Sequence, residues 1–370
     1  MDPTAHVIAP PLLYDSAYEV PEAHEAQTLA SLTDTLHGIS ETTFKHSGHP
    51  IRSVHAKSHG LLRGELRVLN GLPPTLAQGI FARPGSWPVV MRLSTVPGDI
   101  LDDSISTPRG LAIKVVGVEG ERLEGSEGAT TQDFVLVNGR SFPAPGAAKF
   151  LISLKLLAPT TDKAPNLKKA VSAVLRGAER VVEAFGGESA TLKGLGGHPE
   201  THILGETFFS QAPILFGQYM AKVSVAPVSA GLMALTDAKL NVNGHPNGLR
   251  DAVLDFFAAA AGEWELRVQL CTDLESMPIE DASVAWPEDA SPYVAVARIT
   301  VAPQAAWSPA RSAAVDDGMS FSPWHGVCAH RPIGSVMRVR KAVYEMSAHL
   351  RAEHNGRPIV EPASLDDLPA

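Results

Sequence analysis

From Leu61 onward the chain alternates short apolar runs with turn residues. Leu62–Leu69, Pro88–Val96, Gly110–Val116 and Asp133–Val137 are aliphatic or β-branched runs bounded by turn residues, and in succession they predict an antiparallel meander. A helical interlude is predicted over Ala147–Leu157 and Pro165–Phe185, where Pro suits the first helical position, ahead of a Gly-rich stretch at Gly194–Gly197. Strands resume at Ile214–Val225, Trp264–Thr272 and Tyr293–Val301, with a helix at Gly248–Ala261 between them. Two strand groups split by helices suit a closed barrel, which leaves no exposed edge. Residues 1 to about 50 are polar and rich in Pro and His, and predict an extended arm with a short helix around Glu22 to Leu36 that needs another surface to order it. The pattern divides the chain into an arm (1–50), a barrel with helical insertions (51–303) and a wrapping segment ending in a helix (304–370).

Composition narrows the class. At 370 residues the chain exceeds the usual domain size, yet large β-barrels run this long as one unit. Hydrophobic residues at 44% and charged residues at 19% describe a soluble globular protein, and Lys149–Leu157 is too short and too charged to span a bilayer. The segment Met1–Pro11 lacks a basic stretch ahead of an apolar core, so no secretory signal and cytoplasmic residence are expected. Cys271 and Cys328 form no CxxC or CxxCH pattern, which argues against zinc, iron–sulfur or covalently attached haem and for buried free thiols. A net charge of -9 without a basic run disfavours nucleic acid as a partner, and small-molecule chemistry fits better.

The sharpest chemical signal lies near the C-terminal end. Ser335–Arg351 contains neither Gly nor Pro and predicts a helix, on which spacings of four and seven put Arg340, Tyr344 and Arg351 on one face. A phenol one turn from a guanidinium is expected to ionise below its ordinary pKa of ~10. Tyrosinate is the axial ligand of one class of haem site, set apart from histidine and thiolate haems.

Further motifs share that theme. Arg52-Ser-Val-His-Ala-Lys57, Val90-Met-Arg-Leu-Ser-Thr-Val-Pro-Gly98, Thr107-Pro-Arg-Gly-Leu-Ala-Ile-Lys114, Trp264–Thr272, Val284-Ala-Trp-Pro287, Phe321-Ser-Pro323 and Arg340-x-x-x-Tyr344 with Arg351 run co-linearly over about residues 52 to 351. In this order they resemble the haem catalases. The resemblance implies an α+β fold with an eight-stranded antiparallel barrel, a wrapping segment that supplies a tyrosine ligand, and haem b as cofactor. It implies His55 as distal acid/base residue with Ser94 fixing its tautomer, and Val54 narrowing the channel. It also implies Arg52, Arg92 and Arg351 on the haem carboxylates, Tyr344 on the iron, and Arg340 keeping that phenol ionised. Only 19 residues follow Arg351, so no C-terminal helical domain is expected.

The sequence also departs from the family. Where catalases place a distal Asn, this chain reads Gly128-Ala-Thr-Thr-Gln-Asp-Phe-Val-Leu-Val-Asn138; Thr131 falls at that position, and Asn138 stands seven residues on at the far end of a strand. Leu93, Leu111 and Leu136 replace family aromatics and are expected to leave the distal wall roomier and more apolar. Between Gly194 and Glu206 no match to the family's NADPH-binding residues is evident, and NADPH is not expected. These features favour a peroxidase or hydroperoxide-metabolising enzyme acting on a small-molecule peroxide and assembling as a homo-oligomer. A small hydrogen peroxide-dismutating catalase and a non-catalytic haem-binding protein stand as alternatives.

Overall fold

Residues of the first strands are apolar on both faces, and the structure shows why. A computed structural model describes residues 9–157, 198–366 and 368–369. Strands β1 (Ser58–Val68), β2 (Ser86–Thr95), β3 (Arg109–Val116) and β4 (Thr131–Val137) form the predicted antiparallel meander, in a register pairing Leu62 with Met91, Met91 with Ile113 and Ile113 with Phe134. Side chains alternate along a strand. Val89, Met91 and Leu93, with Leu111, Ile113 and Val115, therefore enter the main core. The opposite parity places Leu61 and Val90 in a second buried cluster under Val315, Met319, Phe321 and Leu368, which come from the segment after the barrel.

Strands β5 (Phe208–Phe209), β6 (Ile214–Phe216), β7 (Tyr219–Pro227), β8 (Gly262–Leu270) and β9 (Val294–Val301) complete a nine-stranded sheet. β9 pairs with β1 and β5 pairs with both β4 and β7, so eight antiparallel strands close a ring and β6 flanks it as a hairpin on β7. The predicted strand at Ile214–Val225 is thus two strands, parted by a turn in which Gly217 takes a left-handed φ of 60°. The closing strand β5 has two residues, too few for any periodicity to reveal.

Four longer helices complete the description: α1 (Glu25–Ser47), α2 (Ala147–Leu157), α3 (Gly248–Ala259) and α4 (Ser335–Asn355). α3 buries Leu249, Val253 and Phe257, at intervals of one turn, in the barrel core. α1 runs well past the predicted Leu36. Beyond that point its hydroxyls bond back to carbonyls one turn earlier, Thr42 to Gly38 at 2.8 Å and Ser47 to Thr43 at 2.8 Å, a pattern that hides helix behind a polar sequence. Leu32 and Leu36 of α1 pack with Ala147 and Leu154 of α2 and Val339 and Val343 of α4, which is the surface that orders the arm. The predicted helix at Pro165–Phe185 and the Gly-rich stretch at Gly194–Gly197 lie outside the described residues. Among the described residues no helix is long and apolar enough to cross a membrane. Cys271 is a buried free thiol, its pKa pushed up by burial to about 11, whereas Cys328 is only half-buried, which corrects the expectation of two buried thiols.

Candidate active site

The strand parity that fills the barrel with Met91 and Leu93 turns Arg92 and Ser94 outward, where residues 52–57 cross them. The crossing segment is held by His55 N donating to Val96 O at 2.8 Å and Ala56 N to Pro97 O at 3.0 Å. His55 has a left-handed φ of 56°, a strained backbone for a side chain of this size, which the surrounding contacts hold in place. Its Nδ1 lies 3.1 Å from Ser94 Oγ. The ring rests on Gly110, where any Cβ would stand 2.4 Å from Nδ1, so this close approach requires glycine.

Burial first, and then the cations Arg92, Arg340 and Arg52, push the His55 pKa down to about 3. The imidazole is neutral at physiological pH and can take up a proton. In the folded protein, ring resonances of His55 should show no titration between pH 8 and 5. An ordinary midpoint near ~6.5 would show that the ring is solvated rather than held in this environment. Since the unfolded chain binds a proton there at ~6.5 and the folded chain does not until about 3, this group removes stability as pH falls through that window.

A second wall comes from α4. Its first residue follows Gly334, whose φ of 88° and contact with Ile279 O, 2.1 Å from an added Cβ, admit no side chain. The helix is fixed by Ser335 N donating to Glu280 at 2.8 Å, Trp324 Nε1 to Met337 O at 2.8 Å, and Arg338 bonded to Glu25 and Glu280. One turn apart, Arg340 Nη2 donates to Tyr344 Oη at 2.6 Å. Arg340 and Tyr344 line a cavity of about 730 Å³ together with Val54 and His55, and apolar side chains including Leu36, Val96, Val135, Phe150 and Val339 supply much of the remaining wall.

The other arginines singled out in the sequence gather beside this cavity on a residue the sequence did not reveal. Asp316 Oδ1 accepts from Arg92 Nε at 2.7 Å and Arg52 Nη1 at 3.1 Å, while its carbonyl accepts from Arg351 Nη1 at 2.6 Å and Arg52 Nη1 at 2.8 Å. Asp316 lies in a π-helical turn, Ala313–Asp317, that also offers the Val315 carbonyl to Arg52. Burial disfavours its charge, but Arg92 and Arg52 prevail and hold the carboxyl down at about 2. Burial and the neighbouring Arg92 lower Arg351 to about 10, and its buried Nε has no hydrogen-bond partner among the described residues.

Two expectations about the cavity are corrected. Thr131, at the first residue of β4, donates to Glu361 at 2.9 Å in a buried cluster with Lys114 and Asp133, and does not belong to the cavity wall. Asn138, one residue past the end of β4, does line it. The strand runs toward the cavity, so the residue seven positions on is the one that arrives. Leu93, Leu111 and Leu136 likewise face the barrel core by strand parity, and Val135 and Val137 are the β4 residues that reach the cavity.

The sequence matches no protein-family model and no curated protein. Solved structures do resemble the chain. Catalase A from Saccharomyces cerevisiae superposes with a TM-score of 0.58 at 17% identity, covering 84% of this chain and 63% of that one. A fungal catalase gives 0.56 at 17% identity over 87% of this chain and 65% of that one, and a bacterial catalase 0.56 at 14% over 95% and 66%. The chain spans just under two-thirds of the length of each of these proteins. In its closed eight-stranded antiparallel barrel and the helices around it, the chain has the catalase fold.

Proposed function

We propose that the protein is a haem-dependent oxidoreductase that cleaves the O–O bond of peroxides, as a peroxidase or hydroperoxide-metabolising enzyme. The observation that carries this reading is that Tyr344 and a neutral His55 line one cavity of about 730 Å³ from separate elements, α4 and the segment ahead of β1. The residues fit haem b. Tyr344 would ligate the iron, with Arg340 stabilising the phenolate through its 2.6 Å hydrogen bond. Arg52, Arg92 and Arg351 would hold the carboxylates, and the orphaned, buried Nε of Arg351 is a donor that such a group satisfies. Apolar Val54, Val336, Val339 and Val343 suit a macrocycle face.

When bound, the haem supplies the redox-active iron at which peroxide is cleaved. The remaining chemistry belongs to His55. With Nδ1–H donated to Ser94 Oγ, the Nε2 lone pair is the base that removes the peroxide proton. Nε2–H then delivers it to the departing oxygen, which leaves as water or alcohol rather than as an anion. The apolar wall favours peroxides carrying an alkyl chain, at ~25 cal/mol per Å² buried. The haem-loaded protein is therefore expected to show a higher kcat/KM for cumene hydroperoxide and a fatty-acid hydroperoxide than for hydrogen peroxide. Vigorous oxygen evolution from hydrogen peroxide alone would instead make it a small catalase, and haem uptake without cleavage of any peroxide would leave a haem-binding protein.

A further inference from the structure

Asn138 is a polar side chain of the cavity wall, and its hydrogen bonds are already committed. Its backbone N donates to Arg109 O at 3.0 Å and its Oδ1 accepts from Arg109 N at 2.8 Å. Arg109 adjoins Gly110, the residue on which the His55 ring rests, so this pairing fastens Asn138 to the strand that supports the imidazole. A side-chain amide has two hydrogens to give. Here Nδ2 donates to Glu206 Oε2 at 2.6 Å and stands 2.7 Å from His198 Nε2. His198 Nδ1 meets both Pro199 O, at 2.8 Å, and the Arg109 guanidinium, which can only donate. Turning the amide over would set Oδ1 against the Glu206 carboxylate and forfeit the bond from Arg109 N, so the network fixes its orientation. Glu206 is itself held, accepting from Thr201 Oγ1 at 2.6 Å and standing 3.8 Å from Arg109 Nη1.

We propose that Glu206 is a specificity-determining positioning residue, which holds the Asn138 amide by one of its hydrogens, turned from the cavity, so that His55 rather than Asn138 donates the proton to a bound peroxide. This rests on the cavity being the peroxide site. Hydrogen peroxide, with no apolar part to anchor it, depends on polar partners for its position and loses most by this arrangement. A hydroperoxide with an alkyl chain is held by the apolar wall and loses least.

The test uses Glu206→Ala, the conservative Glu206→Gln, and His198→Phe, which removes the ring nitrogen beside Nδ2 and keeps the idea testable should the first variant fold poorly. In haem-free protein labelled at asparagine, one Asn138 Nδ2 hydrogen should shift and exchange with water at least about tenfold faster in the alanine and phenylalanine variants. Glu206→Gln, which keeps an acceptor oxygen, should restore the slow exchange. In haem-loaded protein the ratio of kcat/KM for hydrogen peroxide over cumene hydroperoxide should rise about tenfold in Glu206→Ala, the scale of one hydrogen bond gained. Fluoride, which binds without turnover, should bind the ferric protein about tenfold more tightly once the amide can donate. Amide signals indifferent to all three substitutions would overturn the clamp. Amide signals that move while the ratio and fluoride affinity stay fixed would overturn its role in specificity. Wild type that takes up no haem would overturn the peroxide reading and the specificity claim with it, whereas the amide signals of the haem-free protein would still report on the clamp.

Discussion

His55→Ala should retain haem while the rate of peroxide O–O cleavage falls by at least ~10², the usual scale for a positioned acid/base group. The phenol, Arg92 and Arg351 lie on other elements, and Arg52, on the same segment, is anchored by Asp316 and the Val315 carbonyl, so the truncation leaves them in place. What disappears is the neutral Nε2, and Ser94 cannot substitute, because its hydroxyl meets the ring at Nδ1, on the side away from the free nitrogen. Single-turnover mixing with cumene hydroperoxide reads the step directly. A variant as fast as wild type would refute the assignment of His55. A fall shared equally by haem content and rate would point to a structural role instead.

Tyr344→Phe should abolish the tyrosinate-type ferric spectrum and reduce haem retention. Outer partners of a metal ligand are worth about 10–100-fold in affinity, and the ligand itself should exceed that. Phenylalanine keeps the apolar ring that packs beside Val339 and Val343, so the α1–α2–α4 cluster should survive and far-UV circular dichroism should be unchanged. An unchanged electronic spectrum in a folded variant would exclude Tyr344 as the ligand. Arg340→Leu provides the graded comparison, since it removes the 2.6 Å donor but leaves the phenol. Its haem should be held more weakly than in wild type and more firmly than in Tyr344→Phe.

Much of the barrel was legible because aliphatic runs between turn residues report strands directly, and the meander from β1 to β4 follows them closely. The two-residue β5 that closes the ring escaped, because closure is decided by pairing partners and not by local pattern. Spacing on one helix placed Arg340 beside Tyr344 correctly. Position along a strand was harder. Thr131 and Asn138 both lie near a run of apolar residues, but only the three-dimensional path of β4 tells which end meets the cavity. Asp316 carried no local signal, since an acid in a short irregular turn becomes informative only when Arg52 and Arg92, distant in sequence, arrive on it. The parity of β2 was readable in principle. Arg92 and Ser94 share a face, so Leu93 had to lie on the other.

The ring of strands is built from residues 58 to 301, yet Asp316, Tyr344 and Arg351 all come from beyond it, and Leu32 and Leu36 from before it. A polypeptide ending at β9 would possess the whole barrel, His55 and Ser94, but neither Tyr344 nor a complete arginine cluster. The scaffold and the candidate site therefore draw on different stretches of the chain. The cylinder is closed by strand pairing alone, whereas the chamber takes its walls from the segments that flank the cylinder and meet where α1 packs on α4.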